Sequence, residues 1–189
     1  MAGSHHLILG GQRSGKSRFA ERLASAWLET PGQSATLVAT ALAGDTEMAA
    51  RISVHQADRA ARVPRMATIE ESRALAQVLR QHKAPGHLLV VDCLTLWLTN
   101  LLMPLHGEPL GADSIQAARD DLCATLRHIE SPVVLVSNEI GLGLSPMSSQ
   151  ARHFVDELGW LHQSVAAECA NVTLMVAGIA MPIQRQASS

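Results

Sequence analysis

Short apolar runs alternate with amphipathic stretches along the whole chain. His6-Leu7-Ile8-Leu9, Ala35-Thr36-Leu37-Val38-Ala39, Leu88-Leu89-Val90-Val91, Val133-Val134-Leu135-Val136 and Val172-Thr173-Leu174-Met175-Val176 are each too short for a buried helix and read as buried strands. Met66-Ala67-Thr68-Ile69 is a weaker candidate of the same kind. Between these runs apolar residues recur at helical spacing. From Ser17 to Leu28, Phe19, Leu23, Trp27 and the alanines fall on one side. Asp45 or Thr46 is placed to cap a helix from Glu47 to about Arg59. Glu70-Glu71-Ser72 opens a helix to about His82, with Leu75, Val78 and Leu79 as its stripe. Leu94 to Met103 reads as helix, and Ala112-Asp113-Ser114 caps another that carries Ile115, Ala118, Leu122 and Leu126. A long helix is expected from Gln150 to about Ala170. The strand that ends at Ala177 is followed by Gly178 and a short tail.

Strands alternating with helices predict an α/β fold, a mostly parallel sheet with helices on both faces. A length of 189 residues fits one domain, 1–189. In such sheets ligands sit at the C-terminal ends of the strands. The loops at 10–17, 40–45, 92–95 and 138–146 all fall on that edge.

Composition then narrows the classes. The formal net charge is -2 and 17% of residues are charged, which calls for neither a nucleic-acid nor a membrane partner. No basic-then-apolar leader opens the chain, and no apolar run nears the ~20 residues of a membrane helix. A cytoplasmic location is the default expectation. Cys93, Cys123 and Cys169 are far apart, without metal spacing, and read as buried thiols. Met1 to Ser4 are expected to be partly disordered.

The candidate chemistry begins at Gly10-Gly11-Gln12-Arg13-Ser14-Gly15-Lys16-Ser17, which fits the phosphate-loop pattern G-x-x-x-x-G-K-[ST]. Its glycines let backbone N–H groups converge on an anion, and the following helix points its positive end there. Lys16 supplies charge for the outer phosphates, and Ser17 a hydroxyl for Mg²⁺. Strand, loop and helix occur in the required order, which specifies a P-loop NTPase-type, RecA-like sheet. Leu88 to Asp92 has the Walker B form, four apolar residues and an acid able to hold Mg²⁺. On a helix, Arg51, His55 and Arg59 share a face, and two flanking guanidiniums keep an imidazole neutral and nucleophilic. The bland alternative is a solvated basic face. Asn138-Glu139 at a strand end is suited to position a substrate or a metal-bound water, or to cap a turn. Arg152 and His153 are weaker phosphate candidates. Neither lysine of the chain, Lys16 or Lys83, lies in the Asn-Lys-x-Asp motif that reads guanine in switch GTPases.

These blocks follow one order. The phosphate loop precedes Ala39-Thr40-Ala41, then Glu47-Met48-Ala49-Ala50-Arg51-Ile52 with His55. Asp92-Cys93-Leu94-Thr95-Leu96-Trp97-Leu98-Thr99-Asn100, Val136-Ser137-Asn138-Glu139-Ile140-Gly141-Leu142-Gly143 and Arg152-His153-Phe154 continue it. The set resembles the bifunctional adenosylcobinamide kinase / adenosylcobinamide-phosphate guanylyltransferase family of cobalamin synthesis, over nearly the whole chain. The resemblance implies phosphorylation of adenosylcobinamide, a corrinoid, by ATP or GTP. It further implies GMP transfer from GTP through a guanylylated histidine, giving adenosylcobinamide-GDP. His55 matches that histidine. Gly10 to Ser17, Thr40, Ala41, Leu42, Gln56, Ala57, Asp58, Arg59, Glu70 and Asp92 match nucleotide-contacting positions. The resemblance also implies a homo-oligomer, with a trimer as one candidate. Departures from the pattern are Met66-Ala67-Thr68 where Trp-Arg-Thr is common, Val38 in place of an aromatic, and His162-Gln163 in place of Asn-Gln. Two other readings stand beside it: a P-loop small-molecule kinase with His55 on the surface, and a non-catalytic nucleotide-binding module.

Overall fold

The computed structural model describes residues 5–44 and 46–183, without the side chains of Glu47, Met48, Arg51 and His55. The expected disorder of Met1 to Ser4 and a cap at Asp45 lie outside the described residues. The apolar runs form strands β1 (His6–Gly10), β2 (Ser34–Ala39), β3 (Met66–Glu70), β4 (His87–Asp92), β5 (Val133–Val136) and β6 (Asn171–Val176). Between them lie α1 (Lys16–Leu28), α2 (Thr46–Arg62), α3 (Leu75–His82), α4 (Leu94–Leu102), α5 (Ala112–His128) and α6 (Ser149–Glu168). A last strand, β7 (Ile179–Ile183), folds back on β6.

Among the described residues the seven strands make one sheet, ordered β3-β2-β4-β5-β1-β6-β7. Every pairing from β3 to β6 is parallel, and β7 alone runs antiparallel. The central strands are buried on both faces, which is why their sequences run apolar without alternation. On β4, Leu89 and Val91 join Leu7, Leu9 and Leu135 under α3, α4, α5 and α6. Leu88 and Val90 point the other way and pack with Ile8 and Val136 against Ala20, Ala24 and Leu28 of α1. Cys93, Cys123 and Cys169 are buried, with no disulfide among them. Among the described residues no helix is long and apolar enough to cross a membrane.

Three boundaries differ from the sequence reading. Glu70 closes β3 instead of opening a helix, and α3 begins at Leu75. Glu71 is a turn residue whose Oε1 accepts from Arg73 N at 2.7 Å and Ala74 N at 2.8 Å. The cap of α5 falls on Gly111, so Asp113 and Ser114 occupy its first turn. The residues after Gly178, read as a tail, form an added strand.

Candidate functional site

The phosphate loop leaves β1 at Gly10, whose φ is +151°. A Cβ there would lie 2.5 Å from the Met175 carbonyl oxygen and 2.7 Å from Ser14 Oγ, so only glycine fits. Gly15, at φ +99°, is the N-cap of α1, and no side chain caps that helix. Its first N–H groups are therefore left for an anion. Ser14 Oγ is buried and finds no hydrogen-bond partner among the described residues. Lys16 is buried, and its Nζ donates to the Gly11 carbonyl at 2.7 Å. Burial pushes its ammonium below the ordinary lysine range, while the nearby Cys93 and Asp92 act the other way. Ser17 sits in the first turn of α1.

Asp92 ends β4 and pairs in register with Ala39 of β2 and Val136 of β5. The next residue, Cys93, is clamped to Thr40 by two bonds. Thr40 Oγ1 donates to the Cys93 carbonyl at 2.7 Å and accepts from Cys93 N at 2.8 Å. The Thr40 carbonyl is taken too, by Asn100 Nδ2 at 2.8 Å. Thr40 is thus a latch between two strand ends, a role the sequence did not disclose. Burial, with Asp92 adding to it, pushes the Cys93 thiol up to about 12, so it stays protonated at neutral pH. Among the described residues no group of three or more His, Cys, Asp or Glu side chains can enclose a metal ion. The oxygens of Ser17 and Asp92 suit a hard cation that takes its remaining ligands from phosphates and water.

The other matched positions lie toward the far edge. Ala41 is half-buried and Leu42 exposed after β2. Gln56 Nε2 donates to Glu70 Oε1 at 3.1 Å, which sets that turn of α2 beside the end of β3. Asp58 accepts from Arg62 at 3.4 Å, Ala57 is exposed and Arg59 is buried. His55 precedes Gln56 on α2, and its side chain lies outside the described residues. By sheet order β3 stands four strands from β1, roughly 19 Å at the usual strand spacing. Asp92, on β4, stands two strands from each, and its charge acts on Lys16, so it belongs with the loop while sharing the edge with the α2–Glu70 contact. Arg152 donates to the carbonyls of Pro146 (3.0 Å) and Met147 (2.7 Å), which commits it to its own loop.

Three further residues gather here. Ser137, His162 and Thr95 are buried behind Glu139, with His162 Nε2 2.7 Å from Ser137 Oγ and Ser137 Oγ 3.0 Å from Thr95 Oγ1. One signal was available for His162: it stands within the apolar stripe Leu158, Leu161, Val165 of a helix, where an imidazole must find a partner.

The sequence profile of the family described as cobinamide kinase / cobinamide phosphate guanyltransferase matches residues 6–183. The chain is 48% identical over 178 residues to the bifunctional adenosylcobalamin biosynthesis protein CobP of Pseudomonas aeruginosa, covering 94% of this chain and 96% of that one. It is 38% identical to the bifunctional adenosylcobalamin biosynthesis protein CobU of Salmonella typhimurium, covering 94% and 98%. Among solved structures it resembles the flagellar accessory protein FlaH of Methanocaldococcus jannaschii, with a TM-score of 0.52, 16% identity and coverage of 95% of this chain and 75% of that one. It likewise resembles a solved ATPase domain, with a TM-score of 0.53, 16% identity and coverage of 90% and 68%. The two solved structures share the fold.

Proposed function

The chain belongs to the cobinamide kinase / cobinamide phosphate guanyltransferase family, and from that premise we propose that one edge of its sheet runs two successive transfers onto adenosylcobinamide. The observation that carries the reading is the uncapped α1 N-terminus behind the phosphate loop, with buried Lys16 within electrostatic reach of Asp92. In the first transfer, the substrate hydroxyl attacks the γ-phosphorus of ATP or GTP, and the nucleoside diphosphate leaves. The residues Gly10, Gly11, Gln12, Arg13, Ser14 and Gly15 wrap the phosphates with N–H donors, and Lys16 matches the charge that develops on them. Ser17 and Asp92 would hold Mg²⁺, which when bound neutralises phosphate charge.

In the second transfer, an imidazole nitrogen of His55 attacks the α-phosphorus of GTP and pyrophosphate departs. A phosphate oxygen of adenosylcobinamide phosphate then takes the GMP, the P–N bond breaks and His55 is returned. Ala41, Leu42, Gln56, Ala57, Asp58, Arg59 and Glu70 contact the nucleotide in this reading. Thr40, with hydroxyl and carbonyl already engaged, contributes by fixing the edge. One domain over 1–189, in a cytoplasmic homo-oligomer, completes the proposal.

The test is GTP labelled at the α-phosphorus, followed by denaturation and measurement of label kept on the protein. Wild type should retain it and His55→Ala should not. Equal label on both would name another nucleophile. No label on an active wild type would leave a kinase without the covalent route.

A further inference from the structure

A buried polar chain runs beneath the sheet edge where β5 emerges between β4 and β1, that is, between the strand of Asp92 and the strand of the phosphate loop. Asn138 N donates to Thr95 Oγ1 at 2.8 Å, Thr95 Oγ1 lies 3.0 Å from Ser137 Oγ, and Ser137 Oγ lies 2.7 Å from His162 Nε2. His162 Nδ1 stands 3.5 Å from Glu139 Oε2. One proton arrangement satisfies every member. Thr95 donates to Ser137, Ser137 donates to Nε2, and Nδ1–H points at the carboxylate. That arrangement requires a neutral imidazole. Burial pushes His162 below the ordinary histidine range, with Glu139 opposing, so neutral is the resting form. Around this imidazole α4 contributes hydroxyls but no titratable side chain, and Arg119 of α5 is spent on Glu157, 3.3 Å away.

Glu139 is held from other sides as well. Its N–H donates to the Gly10 carbonyl at 2.9 Å, and its Oε1 accepts from Gly141 N at 2.6 Å. Its side chain nevertheless keeps 19% exposure. The residue is thus tied to the phosphate loop by one main-chain bond, and its carboxylate is held by Gly141 N, faced by an imidazole behind, and reachable in front. We propose that Glu139 is a catalytic residue of the phosphoryl transfer, the carboxylate that takes the proton of the attacking hydroxyl, and that His162 is its positioning residue. The proposal rests on the kinase reading above. As the acceptor oxygen bonds to the γ-phosphorus and the bond to the departing diphosphate breaks, the hydroxyl proton passes to Glu139. The guanylyl transfer has no such demand, because its attacking atoms, the lone-pair nitrogen of a neutral imidazole and an ionised phosphate oxygen, bear no proton themselves.

The two half-reactions are measured apart on the intact protein: phosphorylation of adenosylcobinamide with γ-labelled nucleotide, and guanylyl transfer to adenosylcobinamide phosphate supplied ready-made. Glu139→Gln, nearly isosteric, should lower the phosphorylation kcat by about 10²-fold or more. Its loss should exceed any loss in guanylyl transfer by about tenfold, and its phosphorylation rate should lose the acid limb of the pH profile. His162→Ala removes a donor from the carboxylate, so that limb should move to higher pH while the KM for nucleotide stays put. His162→Gln, which offers both an amide N–H and a carbonyl, should recover part of the kcat. Equal losses in both half-reactions, or an unmoved pH profile in Glu139→Gln, would overturn the proposal and leave the pair a scaffold. A wild type inactive in phosphorylation would instead bring down the kinase reading and the proposal with it.

Discussion

Replacing Thr40 by valine isolates the latch at the Walker B strand. Valine keeps the shape of threonine, so no cavity opens and the change is confined to two hydrogen bonds. The Cys93 carbonyl retains its bond from Trp97 N at 3.1 Å and loses little. The Cys93 N–H is the costly group, because it is buried and its acceptor is Thr40 Oγ1. A buried donor left unmade costs about 1–3 kcal/mol, so a loss of about 2 kcal/mol is expected. In a chain of this size each kcal/mol moves the melting midpoint by about 2–4 °C, giving a fall of about 4–8 °C. Thr40→Ser retains the hydroxyl and should stay close to wild type. Urea unfolding followed by circular dichroism gives the free energy, and an unchanged m-value shows that the two folded states are alike. A Thr40→Val protein within about 0.5 kcal/mol of wild type would show that the two bonds do not hold the strand ends together.

Lys16→Ala should slow both half-reactions by roughly 10²-fold or more, and near-normal rates in both would remove the loop from the mechanism. Asp92→Asn should shift the Mg²⁺ dependence of turnover to higher concentration while the protein melts normally; an unchanged Mg²⁺ titration would assign the cation to another acid. Stability should also fall on acidification below the ordinary histidine value of 6.5, because burial holds His5, His6, His87 and His162 beneath it. The unfolded chain accepts protons that these sites refuse, so the loss begins near 6.5 and continues down to the folded-state values. His5 shows why: Nε2 serves the Leu126 carbonyl and Nδ1 accepts from Val133 N, so a second ring proton breaks a bond. Urea midpoints between about pH 7 and pH 5 check this, and a flat profile would refute it.

The parallel sheet was legible because a strand buried on both faces leaves an unbroken apolar run, as at Leu88 to Val91. The phosphate loop was legible because its glycines answer to one geometric demand. What escaped depended on contacts distant in sequence. Thr40 and Cys93 are 53 residues apart, and His162 and Ser137 are 25 apart. Neither pairing leaves a local trace beyond a polar residue in an apolar setting. The last hairpin escaped for a different reason. Its turn sets Ala177 at φ 50° before Gly178 at φ 81°, and alanine at a left-handed position is not a turn signal. Glu70-Glu71-Ser72 misled because acids before an apolar stripe mark helix starts, whereas here Glu71 folds a turn and the helix waits until Leu75.

That hairpin turn touches the phosphate loop through the main chain, with Gly178 N donating to the Ser14 carbonyl at 3.0 Å. The amide proton of Gly178 can therefore exchange with solvent only when the bond to Ser14 opens. Whatever stiffens the loop slows that exchange, and whatever frays the hairpin releases the Ser14 carbonyl. A single amide far along the chain thus keeps time for the loop. Its protection against deuterium is a clock that runs slow when the loop is gripped and fast when it is slack.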